Sequence, residues 1–336
     1  MTTSTKHLVL VDVSHMAYNF LAVSSPMTYT YNGQLVDTRI PAGILKNVWK
    51  WSRYGKDDVV VCFDRGCPAR TQYFNTAQTE SYKEGRVKNR AAVEGLNLTR
   101  ELLDNGGVQT LAVPNFEADD LIGACVTWGY GKYQHIDVVT GDFDLVPLVD
   151  EKVSVFLRCR KTTYADDGRF LKNKYYEITP QNYEYLSVYW SKMPKIPVPY
   201  NTVLLQKMLQ GDSSDNIKGI QYETKTGKLM RKYPDRKYTE LLQTMLTDET
   251  LNLGECFRYT TLSRDAAQVA RGILSGYLPP EDVEVAMRNY YGMNLNGQLT
   301  DPTGVVLRNP YVLSGELAPI QERYLSQSAL QAGIHL

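Results

Sequence analysis

The chain has 336 residues with 37 basic and 37 acidic side chains, a formal net charge of zero and 43% hydrophobic residues, enough to bury a core in one large domain or two. No run of about 18 apolar residues occurs, which excludes a membrane-spanning helix and a membrane partner, and the start Met-Thr-Thr-Ser-Thr-Lys carries no apolar leader, so a cytoplasmic protein is expected. Five scattered cysteines without a CxxC pair read as small buried hydrophobes in a reducing compartment, and His7, His15, His135 and His335 are too dispersed to suggest a zinc site.

The first apolar run, Leu8 to Val11, ends in Asp12. Pro41 suits a first helical turn, and Ile44, Leu45, Val48, Trp49 and Trp51 follow at roughly helical spacing. Val59 to Phe63 is a second strand and ends in Asp64, and a helix is expected over about 92 to 105, stopped by Gly106-Gly107. Val108 to Val113 is a third strand, followed by Asn-Phe-Glu-Ala-Asp-Asp with Glu117, Asp119 and Asp120. Ile136 to Val139 is a fourth, followed by Thr-Gly-Asp142-Phe-Asp144. β-Branched strands alternating with helices predict an α/β domain with a largely parallel central sheet. In such sheets, sites form beyond the carboxyl ends of the strands.

Acids therefore follow every one of these strands, and a parallel sheet would bring all seven to one edge. A lone aspartate after a strand is ordinarily a turn former or a helix N-cap, and Glu117 and Asp119 would suit the start of a helix near Ala118. Four successive strand ends make that reading insufficient. Like charges within about 4 to 6 Å raise one another's pKa and cost stability. Divalent cations relieve this, and an oxygen-only donor set suits Mg²⁺ or Mn²⁺ rather than Zn²⁺. Asp212 and Asp215 in Gly-Asp-Ser-Ser-Asp-Asn-Ile stand three apart, as on one face of a helical turn, and read as the remainder of the same site.

Val-Asp12, Phe-Asp64, Glu117-Ala-Asp-Asp120, Thr-Gly-Asp142-Phe-Asp144 and Gly-Asp212-Ser-Ser-Asp215 together resemble the flap-endonuclease family of structure-specific 5′-nucleases over roughly residues 8 to 230. Tyr277-Leu-Pro-Pro280 and Asn289-Tyr-Tyr291 are similar to the C-terminal part of the family's phage ribonuclease H branch. The resemblance implies a PIN-like nuclease core over residues 1 to 180 with a helical arch at about 65 to 100. It also implies a helical DNA-binding region over 181 to 336, with a helix-three-turn-helix at about 200 to 235. It assigns Asp12, Asp64, Glu117, Asp119 and Asp142 to a tighter Mg²⁺ site and Asp120, Asp144, Asp212 and Asp215 to a second ion.

Ser81-Tyr-Lys-Glu-Gly-Arg86 resembles the family's Tyr-Lys-x-x-Arg signature, in which Lys83 and Arg86 hold the scissile phosphate. Tyr18 stands where relatives stack a tyrosine on a base, although a core tyrosine is the alternative. Arg70, Tyr82, Lys218, Lys225 and Lys228 complete the expected substrate contacts. After Asn216-Ile-Lys-Gly-Ile220 the family continues with a glycine-rich hairpin, whereas this chain has Gln-Tyr-Glu-Thr-Lys-Thr-Gly227. Duplex contact would then rest on side chains, Arg231 and Lys232 included.

Charge agrees with such a substrate. Setting the nine candidate site acids aside leaves 28 acids against 37 bases, an excess of nine positive charges. The expected activity is Mg²⁺-dependent hydrolysis of DNA with a 5′ flap, nick or RNA primer during replication, by a monomer. A sliding clamp or a single-strand-binding protein is the partner that the resemblance implies, although the tail from Gln321 to Leu336 shows no clamp motif. The alternatives are a PIN-type ribonuclease, which would need neither arch nor Asp212 and Asp215, and a non-catalytic DNA-binding protein, which should have lost ligands.

Overall fold

The computed structural model describes residues 6–23, 27–66, 68–77, 82–83, 89–158, 175–181, 202–251, 253, 264–293, 299–300, 306–308, 313 and 315–336. In chain order these give β1 (His7–Asp12), α1 (Ser14–Val23), the hairpin β2 (Thr28–Tyr31) and β3 (Gln34–Asp37), α2 (Arg39–Trp51), β4 (Asp58–Cys62), α3 (Pro68–Ala77), α4 (Arg90–Asn105) and β5 (Gln109–Leu111). Next come α5 (Ala118–Gly129), β6 (His135–Thr140), a 3-10 turn over Phe143–Leu148, β7 (Val153–Arg158) and β8 (Tyr175–Ile178). The C-terminal half has α6 (Thr202–Gln210), β9 (Gly211–Asp212), β10 (Ile217–Lys218), the hairpin β11 (Gln221–Glu223) and β12 (Leu229–Arg231), α7 (Asp235–Leu246), α8 (Arg264–Tyr277), α9 (Pro280–Met293) and α10 (Glu322–Gln331).

The six-stranded sheet runs β5-β4-β1-β6-β7-β8, parallel throughout except for the antiparallel edge strand β8. Its central strands are apolar on both faces, as burial on both sides requires. Leu8, Leu10, Val60, Ile136 and Val138 face α5 and the C-terminal helices, in one core with Leu121, Leu205 and Met287. Val9, Val11, Val59, Val61 and Val139 face the other way, against Ile44, Leu45, Leu102 and Leu325. The tail helix α10 belongs to that second layer, where Ser328 Oγ donates to the Leu102 carbonyl at 2.6 Å.

Helix α4 starts on the Asn89 side chain, which accepts from the Ala92 N–H at 3.3 Å, and gives way at Gly106 and the positive-φ Gly107. Of the expected arch, α3, Tyr82, Lys83 and α4 are described, and Arg86 lies outside the described residues. In the 200 to 235 segment, α6 leads into the β9-β10 ribbon and the β11-β12 hairpin before helix α7 begins. Gly211 and Gly219 make the ribbon possible, because a Cβ on either would collide with the backbone of the other strand. Cys62 and Cys125 are buried free thiols, and Cys67, Cys159 and Cys256 fall outside the described residues. Among the described residues no helix is long and apolar enough to cross a membrane.

Candidate metal centre

The C-terminal ends of β1, β4 and β6, the start of α5 and the β9-β10 turn bring all nine candidate acids into one continuous group of mutually interacting charges. Asp12 ends β1 and is buried. Its Oδ2 accepts from Thr140 Oγ1 at 2.8 Å, its Oδ1 accepts from the Ser14 N–H, and Thr140 Oγ1 in turn accepts from the Asp142 N–H at 2.9 Å. Thr140 thus fixes two acids from neighbouring strands at once. A Cβ on Gly141 beside it would fall within the ring of His15, which would have to move. Asp142 Oδ1 caps the following turn by accepting from the Asp144 N–H at 2.9 Å.

Asp64 accepts from the Ala118 N–H at 2.8 Å, so it uses the exposed donors at the α5 N-terminus. Glu117, Asp119 and Asp120 begin that helix, each with a carboxylate oxygen within 4.8 Å of the others. Beneath them lies Arg70 of α3, which is buried, pairs with Glu117, and donates from Nη2 to Asp120 Oδ1 at 2.8 Å. The Glu117 N–H donates to Asp120 Oδ2 at 3.2 Å, so Asp120 is held at both oxygens.

Tyr82 is buried too, its hydroxyl 3.0 Å from Asp215 Oδ2 and 3.2 Å from Glu117 Oε2. Lys83, at φ 55°, pairs with Glu117, and its backbone N–H donates to the Asp215 carbonyl. A lysine that the sequence reading missed, Lys207 of α6, pairs with Asp144 and lies 2.6 Å from Asp212 Oδ2. Nothing in its own segment marks it, since the contact to Asp144 spans 63 residues.

Among the described residues three cations face nine carboxylates, and burial together with this crowding shifts the proton affinities. Burial, and then the neighbouring Asp64, push Asp12 up to about 7. Burial raises Asp119 to about 8 and, with Asp142 beside it, Asp144 to about 7. Asp142 is raised as well, by the desolvation of its charge within the cleft and by Asp119 and Asp215 beside it, although its side chain reaches the surface. Asp212 goes the other way: burial opposes its charge, but Lys207 and two hydrogen bonds from Ser214 outweigh this and hold it down to about 2. Such a donor set, all oxygen and short of positive charge, fits hard divalent cations.

The remaining candidates are Tyr18, Lys218, Lys225 and Lys228. Tyr18 is on α1 with 52% of its surface exposed, which removes the core alternative. Lys218 is on β10, where its carbonyl accepts from Arg288 and Asn289. Lys225 and Lys228 stand exposed on the turn of the β11-β12 hairpin.

A parallel-sheet α/β fold with clustered carboxylates at its C-terminal edge defines a class of acid-cleft proteins built to hold cations. The chain belongs to the 5′-3′ exonuclease family, whose N-terminal resolvase-like domain model matches residues 7–176. It is 30% identical to DNA polymerase I of Deinococcus radiodurans over 230 residues, which is 67% of this chain and 21% of the polymerase. It is 28% identical to a 5′-3′ exonuclease of Bacillus subtilis over 67% of this chain and 70% of that protein. The chain therefore spans about a fifth of the length of the polymerase relatives that it matches. In fold it is similar to zinc-bound T5 5′-exonuclease, with a TM-score of 0.54 and 15% identity over 86% of this chain and 90% of that one. The bacteriophage T5 flap endonuclease in complex with DNA and metal ions gives a TM-score of 0.53 and 17% identity over 86% and 89%.

Proposed function

We propose that the chain is a divalent-metal-dependent, structure-specific 5′-nuclease, Mg²⁺ being its ion and DNA with a 5′ flap, nick or RNA primer its substrate. The observation that carries this reading is the convergence of nine carboxylates, four of them with raised proton affinity, at the strand ends of a family nuclease fold. When bound, two Mg²⁺ ions would supply an activated water and neutralise charge on the phosphoryl and leaving oxygens.

The protein's part is to hold and orient. Asp12, Asp64, Glu117, Asp119 and Asp142 form the tighter site, and Asp120, Asp144, Asp212 and Asp215 serve the second. Thr140 fixes the distance between Asp12 and Asp142, and Arg70 locks Glu117 and Asp120 in place from below. Lys83, pinned through its backbone to Asp215, presents its ammonium at the rim to the scissile phosphate, together with Arg86. Tyr18 offers an exposed ring for a base to stack on, and Lys218, Lys225 and Lys228 contact duplex phosphates. The division into a nuclease core over 1 to 180 and a DNA-binding region over 181 to 336 belongs to the same proposal. So do action as a cytoplasmic monomer in replication and a clamp or single-strand-binding partner.

The test is cleavage of 5′-labelled flap, nicked and RNA-primed duplexes with Mg²⁺ and with EDTA. Cleavage that requires Mg²⁺ and starts at the 5′ end supports the reading, whereas tight flap binding with no cleavage in Mg²⁺ or Mn²⁺ replaces it with a binding protein.

A further inference from the structure

The β11-β12 hairpin is exposed at every residue of both strands. Tyr222, Leu229 and Met230 keep 47%, 58% and 40% of their surface in solvent, although a two-stranded ribbon that buries no apolar face is marginal in water. Its own hydrogen bonds hold it instead. At the root, the Ile220 N–H donates to the Leu209 carbonyl at 2.8 Å and the Lys232 N–H donates to the Ile220 carbonyl at 2.9 Å. At the tip, the Thr224 and Gly227 N–H groups donate to the carbonyls of Lys228 and Thr224, and the Lys228 N–H donates to Thr224 Oγ1 at 3.0 Å. The ribbon is thus preformed, which lowers the ordering cost of binding, and its root is tied to the segment that carries Asp212 and Asp215.

Register decides what each face presents. Tyr222 and Met230 are direct cross-strand partners, so their side chains stand together on one face. Strand alternation sets Lys228 beyond Met230 on that face, towards the tip, and puts Leu229 and Arg231 on the other. Residues 221 to 231 carry three cations, Lys225, Lys228 and Arg231, against the single acid Glu223. None of the three cations is ion-paired among the described residues. An apolar pair bracketed by unpaired cations is complementary to a polyanion with an apolar interior.

We propose that Tyr222 and Met230 form an apolar wedge, which the ribbon lays into the minor groove of duplex DNA while its cations contact the flanking phosphates. The proposal rests on the nuclease reading and adds to it a contact with bases and sugars. Neither side chain offers the bidentate pattern that reads base edges in the major groove, whereas apolar side chains that partly unstack a base step are a recurrent means of holding the minor groove. Such a grip tolerates any sequence but favours steps that open easily.

Affinity for a nicked duplex, measured in EDTA and in Ca²⁺ over a range of salt, tests the wedge. The double variant Tyr222→Ala/Met230→Ala should bind about tenfold more weakly, with the slope of log affinity against log salt unchanged. Lys225→Ala/Lys228→Ala should instead lower that slope by about two. Melting should stay close to wild type in both, because all four side chains are exposed. A 2-aminopurine moved stepwise along the duplex from the nick should brighten at one position when wild type binds and stay dim with the apolar double variant. Wild-type affinity in that variant overturns the wedge and leaves the face to a protein partner. A loss of affinity that comes with a lower salt slope overturns it too, as does a wild-type complex in which no position brightens. Wild type that binds no duplex and cuts none in Mg²⁺ overturns the nuclease reading as well, whereas wild type that cuts flaps while the apolar variant binds normally overturns the wedge alone.

Discussion

The ammonium of Lys207 sits 2.6 Å from Asp212 Oδ2 and pairs with Asp144 as well, so one lysine bridges carboxylates from two separate motifs. It stands among acids whose proton affinities diverge, with Asp144 raised to about 7 and Asp212 held near 2. Removing it should leave two half-buried carboxylates without the cation between them. Lys207→Met is expected to lose on the order of 2 kcal/mol of stability in EDTA. Most of that loss should return in Mg²⁺, because the ion takes over the neutralising role. Urea unfolding with and without Mg²⁺ checks the loss and its recovery, and an equal loss under the two conditions would place Lys207 outside the cation balance.

Asp142→Asn keeps the side chain's shape and removes one negative charge from the centre of the group, where Asp142 interacts with Asp119 and Asp215. The variant should be at least as stable as wild type in EDTA and should lose most of its cleavage in Mg²⁺. Binding to flap DNA should persist and weaken with rising salt. Wild-type cleavage rates in this variant would remove Asp142 from the metal ligands.

Stability in the absence of metal should fall with rising pH. Asp12, Asp119 and Asp144 bind their protons more tightly in the folded chain, at about 7, 8 and 7, than at the ordinary value of 3.8. Their contribution is complete below 3.8 and is lost as pH climbs through 7 to 8. Asp212 acts in the opposite sense, but only as pH falls towards about 2. Denaturation midpoints in EDTA should therefore be higher at about pH 5 than at about pH 8.5, and Mg²⁺ should restore stability chiefly at the higher pH. A midpoint that rises with pH in EDTA would contradict the crowded-carboxylate account.

Tyr18→Ala should reduce cleavage by an amount equivalent to about 1 to 3 kcal/mol of stacking, whereas Tyr18→Phe retains it. Because the side chain is 52% exposed, melting should barely change. Unaltered single-turnover cleavage by Tyr18→Ala would show that this ring touches no base.

Lys83→Ala and Arg86→Ala should each slow cleavage by roughly 10 to 150-fold, the worth of one charge-assisted phosphate contact of about 1.5 to 3 kcal/mol. Lys83 also neutralises Glu117, so its variant should lose stability in EDTA in addition. Full single-turnover activity in both variants would take the pair out of the site.

The central strands, the helix ending at Gly106-Gly107 and the meeting of acids at one sheet edge were legible in the sequence. Each is local: apolar runs of strand length, a glycine stop, and carboxylates placed directly after strands that a parallel sheet aligns. The hairpin in place of a glycine-rich turn after Ile220 was only half legible. The departure from the family pattern was visible, but its folded form, β11 paired with β12, depends on chain reversal at Gly227 with φ 77°.

What the tertiary structure alone decided are the contacts between residues far apart in the chain. Arg70, expected at the substrate, is buried beneath Glu117 and Asp120, because α3 packs Phe74 into the core against Gly292, where a Cβ would collide with the ring. Lys207 meets Asp144 because α6 packs on the turn after β6. His7 and His135, 128 residues apart and dispersed to any reading of the sequence, become neighbours because β1 and β6 pair in parallel from their first residues. Apolar periodicity specifies which strands form and which face each side chain takes. Which strand lies beside which, and so which distant side chains share a site, follows from the packing of helices over both sheet faces, and no local pattern encodes that.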